Sequence, residues 1–167
     1  ATVCLRRLDA MVPTDAVCAA RGIDPKTAVE AASSLTSLMA SGTPTQADQA
    51  IFYSMICRYD IVRELVLVEV GERLQNFDYA FTAVDLNAFM TRFTTEYPDA
   101  ARWTEATVKR IKGSLRQTLR HAGLIGEGQS PESERLSPLF LDSDVERALV
   151  QLGEQSLIAA LTGRAVM

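Results

Sequence analysis

Residues that break regular structure are few in this chain, and they fall at intervals that leave helix-sized blocks between them. Pro13, Gly22 with Pro25, Gly42 with Pro44, Pro98 and a cluster from Gly126 to Pro138 are the main punctuation, and Gly and Pro are the strongest local terminators of helices and strands. Most of the intervening blocks exceed the roughly 5–6 residues of a typical strand. Their apolar residues recur at spacings of three and four, the period of a helix with one buried face. The pattern predicts a mainly α fold.

The element boundaries follow from local chemistry. Residues 3–11 and 14–21 read as two short helices, with Thr14 capping the second. Asp24 precedes Pro25 and caps a helix running to about Ala40, where Gly42 ends it. Residues 45–76 read as one long or broken helix opened by Thr45 and Asp48, a variant capping box. Its apolar face holds Ile51, Met55, Val62, Leu65 or Val66, and Val70. Asn76–Tyr79 is a linker in which Phe77 and Tyr79 anchor on the core. Residues 83–96 form a helix with Val84, Leu86 or Ala88, Phe89 and Phe93 inward. Thr104 caps the next helix, 105–122, and Gly123 stands at its left-handed C′ position. Leu124-Ile125 and Arg135–Leu141 read as two short strands around a polar loop, giving one small β-hairpin. A last helix runs from Asp142 or Ser143 to near Gly163.

Composition bounds the class of protein. A chain of 167 residues with 47% hydrophobic and 23% charged residues matches an average globular protein. The organisation expected is an N-terminal helical segment over 1–45, a core over 46–141 and a C-terminal helix over 142–167 packed on the body. The most apolar stretch, Ile61–Val70, carries Arg63, Glu64 and Glu69 and is about half the roughly 20 residues needed for a bilayer span. Ala1–Asp9 has neither an apolar signal core nor a small-residue cleavage pattern. Cys4, Cys18 and Cys57 are odd in number and lack C-x-x-C spacing, which predicts reduced thiols and a cytoplasmic location.

The helix after Thr104 carries most of the functional signal. Between Ala106 and His121 stand Lys109, Arg110, Lys112, Arg116 and Arg120 with no acid, so this segment is +5 in a chain of net charge −4 and the remainder is −9. At about 100° per residue, Val108, Ile111, Leu115, Leu119 and Ala122 form one stripe and Lys109, Lys112, Arg116 and Arg120 another. Like charges at i, i+4 repel by a few tenths of a kcal/mol per pair. An anionic partner relieves that repulsion. Acids of this chain, in the 127–134 loop or at Asp142, Asp144 and Glu146, are the internal alternative to a nucleic acid. The order of two helices, a basic helix, an apolar run, a polar loop and a second apolar run is that of a winged helix-turn-helix, whose basic helix enters the DNA major groove. In that reading Thr104, Thr107, Lys109, Lys112, Arg116, Arg120 and, on the wing, Arg135 are the DNA-binding residues, and arginine supplies the fork that reads guanine.

Signatures of catalysis are missing. His121 is the one histidine and is expected to meet the last carbonyls of its helix. No phosphate-binding glycine loop or nucleophile motif occurs, and Asp99, Glu105 and Lys109 do not have the spacing of a metal-dependent nuclease. The expectation is a protein without catalytic residues, metal, cofactor or small-molecule substrate.

Five segments together resemble the BrxA family, accessory proteins of bacteriophage-exclusion (BREX) defence systems. They are Tyr59-Asp-Ile-Val-Arg-Glu-Leu-Val-Leu-Val-Glu-Val, Phe77-Asp-Tyr, Asp85-Leu-Asn-Ala-Phe, Trp103-Thr-Glu-Ala-Thr-Val-Lys-Arg-Ile and His121-Ala-Gly-Leu-Ile. The resemblance covers roughly residues 50–125. It implies a helical NusB-like bundle with a winged-helix element, binding to double-stranded DNA, other BREX subunits as partners and no enzymatic activity. Competing readings are a protein-interaction subunit that docks its basic helix on an acidic partner, and an RNA-binding NusB-like factor. A hydrolase or nuclease is the distant fourth.

Overall fold

The computed structural model describes residues 9–126 and 130–164. The expected helix over 3–11 lies mostly outside them, though residues 9–11 are helical. The chain is mainly α. Its elements are α1 (Asp15–Arg21), α2 (Pro25–Ser41), α3 (Pro44–Arg58), α4 (Asp60–Glu64), a π-helical turn (Leu65–Val70), α5 (Gly71–Gln75), α6 (Ala83–Glu96), a 3₁₀ turn (Ala100–Arg102), α7 (Glu105–His121), α8 (Ser143–Gln151) and α9 (Gln155–Thr162). Among the described residues no helix is long and apolar enough to cross a membrane.

The caps explain where most helices begin. The side chains of Thr14, Asp24 and Thr104 accept backbone N–H bonds from Val17, Thr27 and Thr107, each satisfying a donor that the first turn leaves orphaned. The cap of α3 stands two residues ahead of the expected one. Thr43 and Gln46 exchange side-chain and backbone bonds of 2.9 and 3.3 Å, with Pro44 between them as the first helical residue. That reciprocal pair satisfies two orphan donors and suits the fixed φ of proline.

Of the two forms expected for the 45–76 block, the broken one is found: the helix breaks at Tyr59 and then passes through the π-helical turn into α5. A Cβ on Gly71 would sit 2.8 Å from the Cβ of Ala160 in α9, so glycine is what permits that crossing. Two further expectations change, at the C-terminal block and at the hairpin. The C-terminal block is two helices, α8 and α9, separated at Gly153, whose φ of 69° is left-handed. The hairpin is reduced to single antiparallel bridges, Ile125 with Leu136 and Ala80 with Arg135. Hydrogen bonds from Phe81 N to Glu134 O, Leu136 N to Tyr79 O and Ser137 N to Leu124 O bring the three extended segments side by side.

One hydrophobic cluster runs from Met11 to Leu161. Ala28, Ala31, Ala32 and Leu35 of α2, Phe52 and Ile56 of α3, Val66 and Val70 of the π turn, and Leu86, Phe89 and Phe93 of α6 are all buried in it. Tyr97 and Trp103 stack on Phe93 at 4.1 and 6.1 Å between ring centroids. Ile51 and Met55 are only partly buried, because the inward face of α3 is turned toward Phe52, Tyr53 and Ile56. Val84 and Phe77 point outward at 73% and 76% exposure, against expectation. Val84 lies in the first turn of α6, and Phe77 is swung out by a φ of 58°.

A buried carboxylate ties the two ends of the chain to the middle. Glu154, in the α8–α9 corner, pairs with Arg21 of α1 at 2.9 Å and Arg63 of α4 at 3.1 Å, and it accepts from the Tyr53 hydroxyl at 3.3 Å. Burial, and then the nearby Cys57 and Glu154, hold the Tyr53 hydroxyl well above its ordinary value. Burial pushes the Cys57 thiol up to about 11. This cluster is a neutral-to-ionic bolt inside the bundle.

Candidate nucleic-acid interface

Helix α7 is placed by its apolar stripe. Leu115 and Leu119 are buried, and Val108, Ile111 and Ala122 pack partly buried against the same core. The stripe expected from the sequence is therefore the one that anchors the helix. Opposite it, Ala106, Lys109, Arg110, Gly113, Ser114, Gln117 and His121 are exposed. A Cβ built on Gly113 would meet nothing within 4 Å, so the middle of this face is open and low. A helix whose centre is small lets another surface approach its backbone closely.

The five cations of α7 divide into two sets. Lys109 and Arg110 are exposed and make no ion pair among the described residues. Lys112 donates to the side-chain oxygen of Asn87 on α6 at 2.6 Å, a neutral partner that leaves its charge uncompensated. Arg116 and Arg120 are different. Both reach Glu134, Arg116 through Nε at 2.8 Å and Arg120 through Nη2. The Glu134 side chain is 1% exposed, while those of the arginines are 21% and 27% exposed. The acid comes from the loop anticipated as the internal alternative, and it takes two of the expected DNA-binding cations.

The remaining expected residues sit around this helix. Thr104 and Thr107 stand at its N-terminus, where their hydroxyls bond each other at 3.0 Å and Thr104 also caps the helix. Those N-terminal amides present partial positive charge to solvent. Arg135 is exposed on the short extended segment beside Ala80, adjacent to Glu134. The structure thus groups Thr104, Thr107, Lys109 and Lys112 along one helix, with Arg116 and Arg120 turned to Glu134 and Arg135 on the neighbouring segment.

Two features of the face were not singled out in the sequence. Arg110 lies closer to its centre than Lys112, a position the helical wheel already implies from its offset to Leu115 and Leu119. Gln117 shares the face, and its amide meets the His121 ring at 2.7 Å, so His121 bonds a side chain rather than the last carbonyls. Beyond His121 an open groove of about 800 Å³ separates α7 from α3, floored by Ile51, Phe52 and Met55. Among the described residues no three His, Cys, Asp or Glu side chains are grouped to hold a metal ion.

Comparisons with known proteins agree on one family. A family model described as BrxA matches residues 1–153. The chain is also similar to a "BREX protein BrxA" of Escherichia coli O9:H4 (strain HS), with 21% identity over 127 residues. That match covers 76% of this chain and 58% of the relative, so the chain spans little more than half the length of the curated relative it matches. No solved structure matches.

Proposed function

Because the chain belongs to the BrxA family, we propose that it is a non-enzymatic accessory protein of a BREX phage-defence system that binds double-stranded DNA through α7. The element order supports a winged helix-turn-helix reading. The α4–α5 segment, the extended residues near 80, α6, α7 and the bridged segments at 125 and 135–136 follow one another in that motif's sequence. In it α7 is the groove-entering helix, α6 crosses behind it, and the segment carrying Arg135 touches the flanking backbone.

The observation that carries the proposal is the face of α7 opposite its buried stripe. Lys109 and Arg110 stand exposed and without ion pairs among the described residues, Lys112 is charge-uncompensated, and Gly113 leaves room for close approach. Phosphate contacts by Lys109, Lys112 and the Thr104/Thr107 hydroxyls position the helix; Arg110 and Gln117 have the bidentate groups suited to guanine and adenine edges. Other BREX subunits are its protein partners in this reading.

The test is duplex binding by fluorescence anisotropy for wild type and Lys109→Ala/Arg110→Ala/Lys112→Ala. Each lost phosphate contact reduces the log–log salt slope by about 0.9, so the triple variant loses most of the slope and binds weakly at all salts. Unchanged affinity and slope would remove this face from the interface. Retention of binding to RNA but not to duplex DNA of equal length would replace this reading with an RNA-binding one.

A further inference from the structure

The basic helix proposed to grip DNA has one of the chain's own carboxylates set between two of its arginines. Glu134 offers one oxygen to Arg116 Nε at 2.8 Å and the other to Arg120 Nη2. Two guanidiniums around one doubly accepting anion is also how arginines bind phosphate. The anion here is fixed rather than free. The Glu134 backbone carbonyl accepts from Phe81 N at 3.1 Å, and its neighbours Arg135 and Leu136 are bridged to Ala80 and Ile125. With its side chain 1% exposed, the carboxylate cannot be screened away by solvent salt as a surface ion pair is.

We propose that Glu134 is a built-in competitor of phosphate, withholding Arg116 and Arg120 from the DNA backbone and so limiting the sequence-independent part of binding. This rests on the DNA-binding reading of α7. Counted as charge, two arginines and one glutamate leave +1 where the bare helix would present +2, and each guanidinium gives one N–H to the carboxylate, Arg116 its Nε and Arg120 its Nη2. Affinity is thereby left to the outer cations Lys109, Arg110 and Lys112. The nonspecific term, which arises from phosphate contacts, is held down at its source.

The experiment measures wild type, Glu134→Gln and Arg120→Gln against a duplex of scrambled sequence across a salt series, with far-ultraviolet circular dichroism on each. Glutamine keeps the shape and one acceptor oxygen but removes the charge. Freeing one or two arginines for phosphate steepens the log–log slope by about 0.9 to 1.8, so that the ratio of affinities at 50 and 200 mM salt grows about three- to twelvefold. Arg120→Gln leaves Arg116 on Glu134 and keeps the slope within about 0.3 of wild type, because Arg120 is not spent on phosphate. A wild-type protein that binds while Glu134→Gln shows an unchanged or shallower slope overturns the competitor role and leaves the DNA reading standing. Should Glu134→Gln fail to fold, Arg120→Gln decides alone, and a loss of about 0.9 in its slope refutes the proposal. A wild type that binds no duplex refutes the underlying reading together with this one.

Discussion

Gly71→Ala adds one methyl group at the point where α5 crosses α9, and the structure sets the size of the effect. The new Cβ would lie 2.8 Å from the Cβ of Ala160, 3.2 Å from its Cα and 3.3 Å from the carbonyl oxygen of Val66. The first distance is well inside van der Waals contact, and both residues are buried, so the helices must separate or the backbone must bend. Overpacking of this kind costs about 1–3 kcal/mol. Alanine offsets part of that by gaining about 1 kcal/mol of helix propensity over glycine. The single variant is therefore destabilised by up to about 2 kcal/mol. Ala160→Gly alone costs about 1 kcal/mol for the reverse reason. In the double variant the methyl–methyl clash is gone and the propensity changes cancel, leaving the 3.2 Å contact with the Cα of residue 160 and the 3.3 Å contact with the Val66 carbonyl oxygen as the residual strain. Urea unfolding followed by circular dichroism reads all four proteins, and the cycle is expected to show a coupling energy above about 1 kcal/mol. Additive single effects would mean that the two helices do not meet at these residues, and would refute the account of why glycine stands there.

Two further predictions concern the bundle. Burial holds the Cys57 thiol at about 11 against an ordinary 9.0. The unfolded thiol therefore ionises first as pH rises, and stability that is complete below 9.0 falls on the way to 11. The loss is on the order of 2–3 kcal/mol from this group, and Cys57→Ala flattens the decline between its onset and the later contribution of Tyr53; an unaltered profile in the variant contradicts the assignment. Phe77 is 76% exposed and held at a φ of 58°, a left-handed conformation that costs a residue with a Cβ roughly 1–2 kcal/mol. After the entropic cost of glycine, Phe77→Gly is expected to stabilise the protein by about 0.5–1 kcal/mol in urea melts, and a destabilised variant would show that the ring has a partner.

What could be read from the sequence was what local chemistry decides. Thr104, Asp24 with Pro25, and Gly123 at a φ of 82° each act within a few residues of themselves, and each stands where the spacing placed it. The anchoring stripe of α7 was legible for the same reason, since a helical wheel is a local construction. The cap of α3 misled because Thr43–Gln46 and Thr45–Asp48 offer overlapping signals, and the proline at the first position favours the earlier pair. The π turn left no mark, as Leu65–Val70 has the composition of any buried helix; the close crossing with α9 at Gly71, just past it, is a tertiary contact that a local pattern does not carry. The division of the basic stripe was hidden in the same way. Arg116 and Arg120 meet an acid 18 and 14 residues away across a loop, and no helical period shows which acid of the loop is buried to receive them.

The claim on which the functional account turns is that α7 leaves Lys109, Arg110 and Lys112 available to a polyanion. The most direct measurement is the anisotropy of a labelled duplex titrated with the wild-type protein over a range of salt concentrations. Two phosphate contacts, by Lys109 and Lys112, predict binding that weakens with a log–log slope of about −1.8. No binding at low salt, or an affinity indifferent to salt, would contradict it.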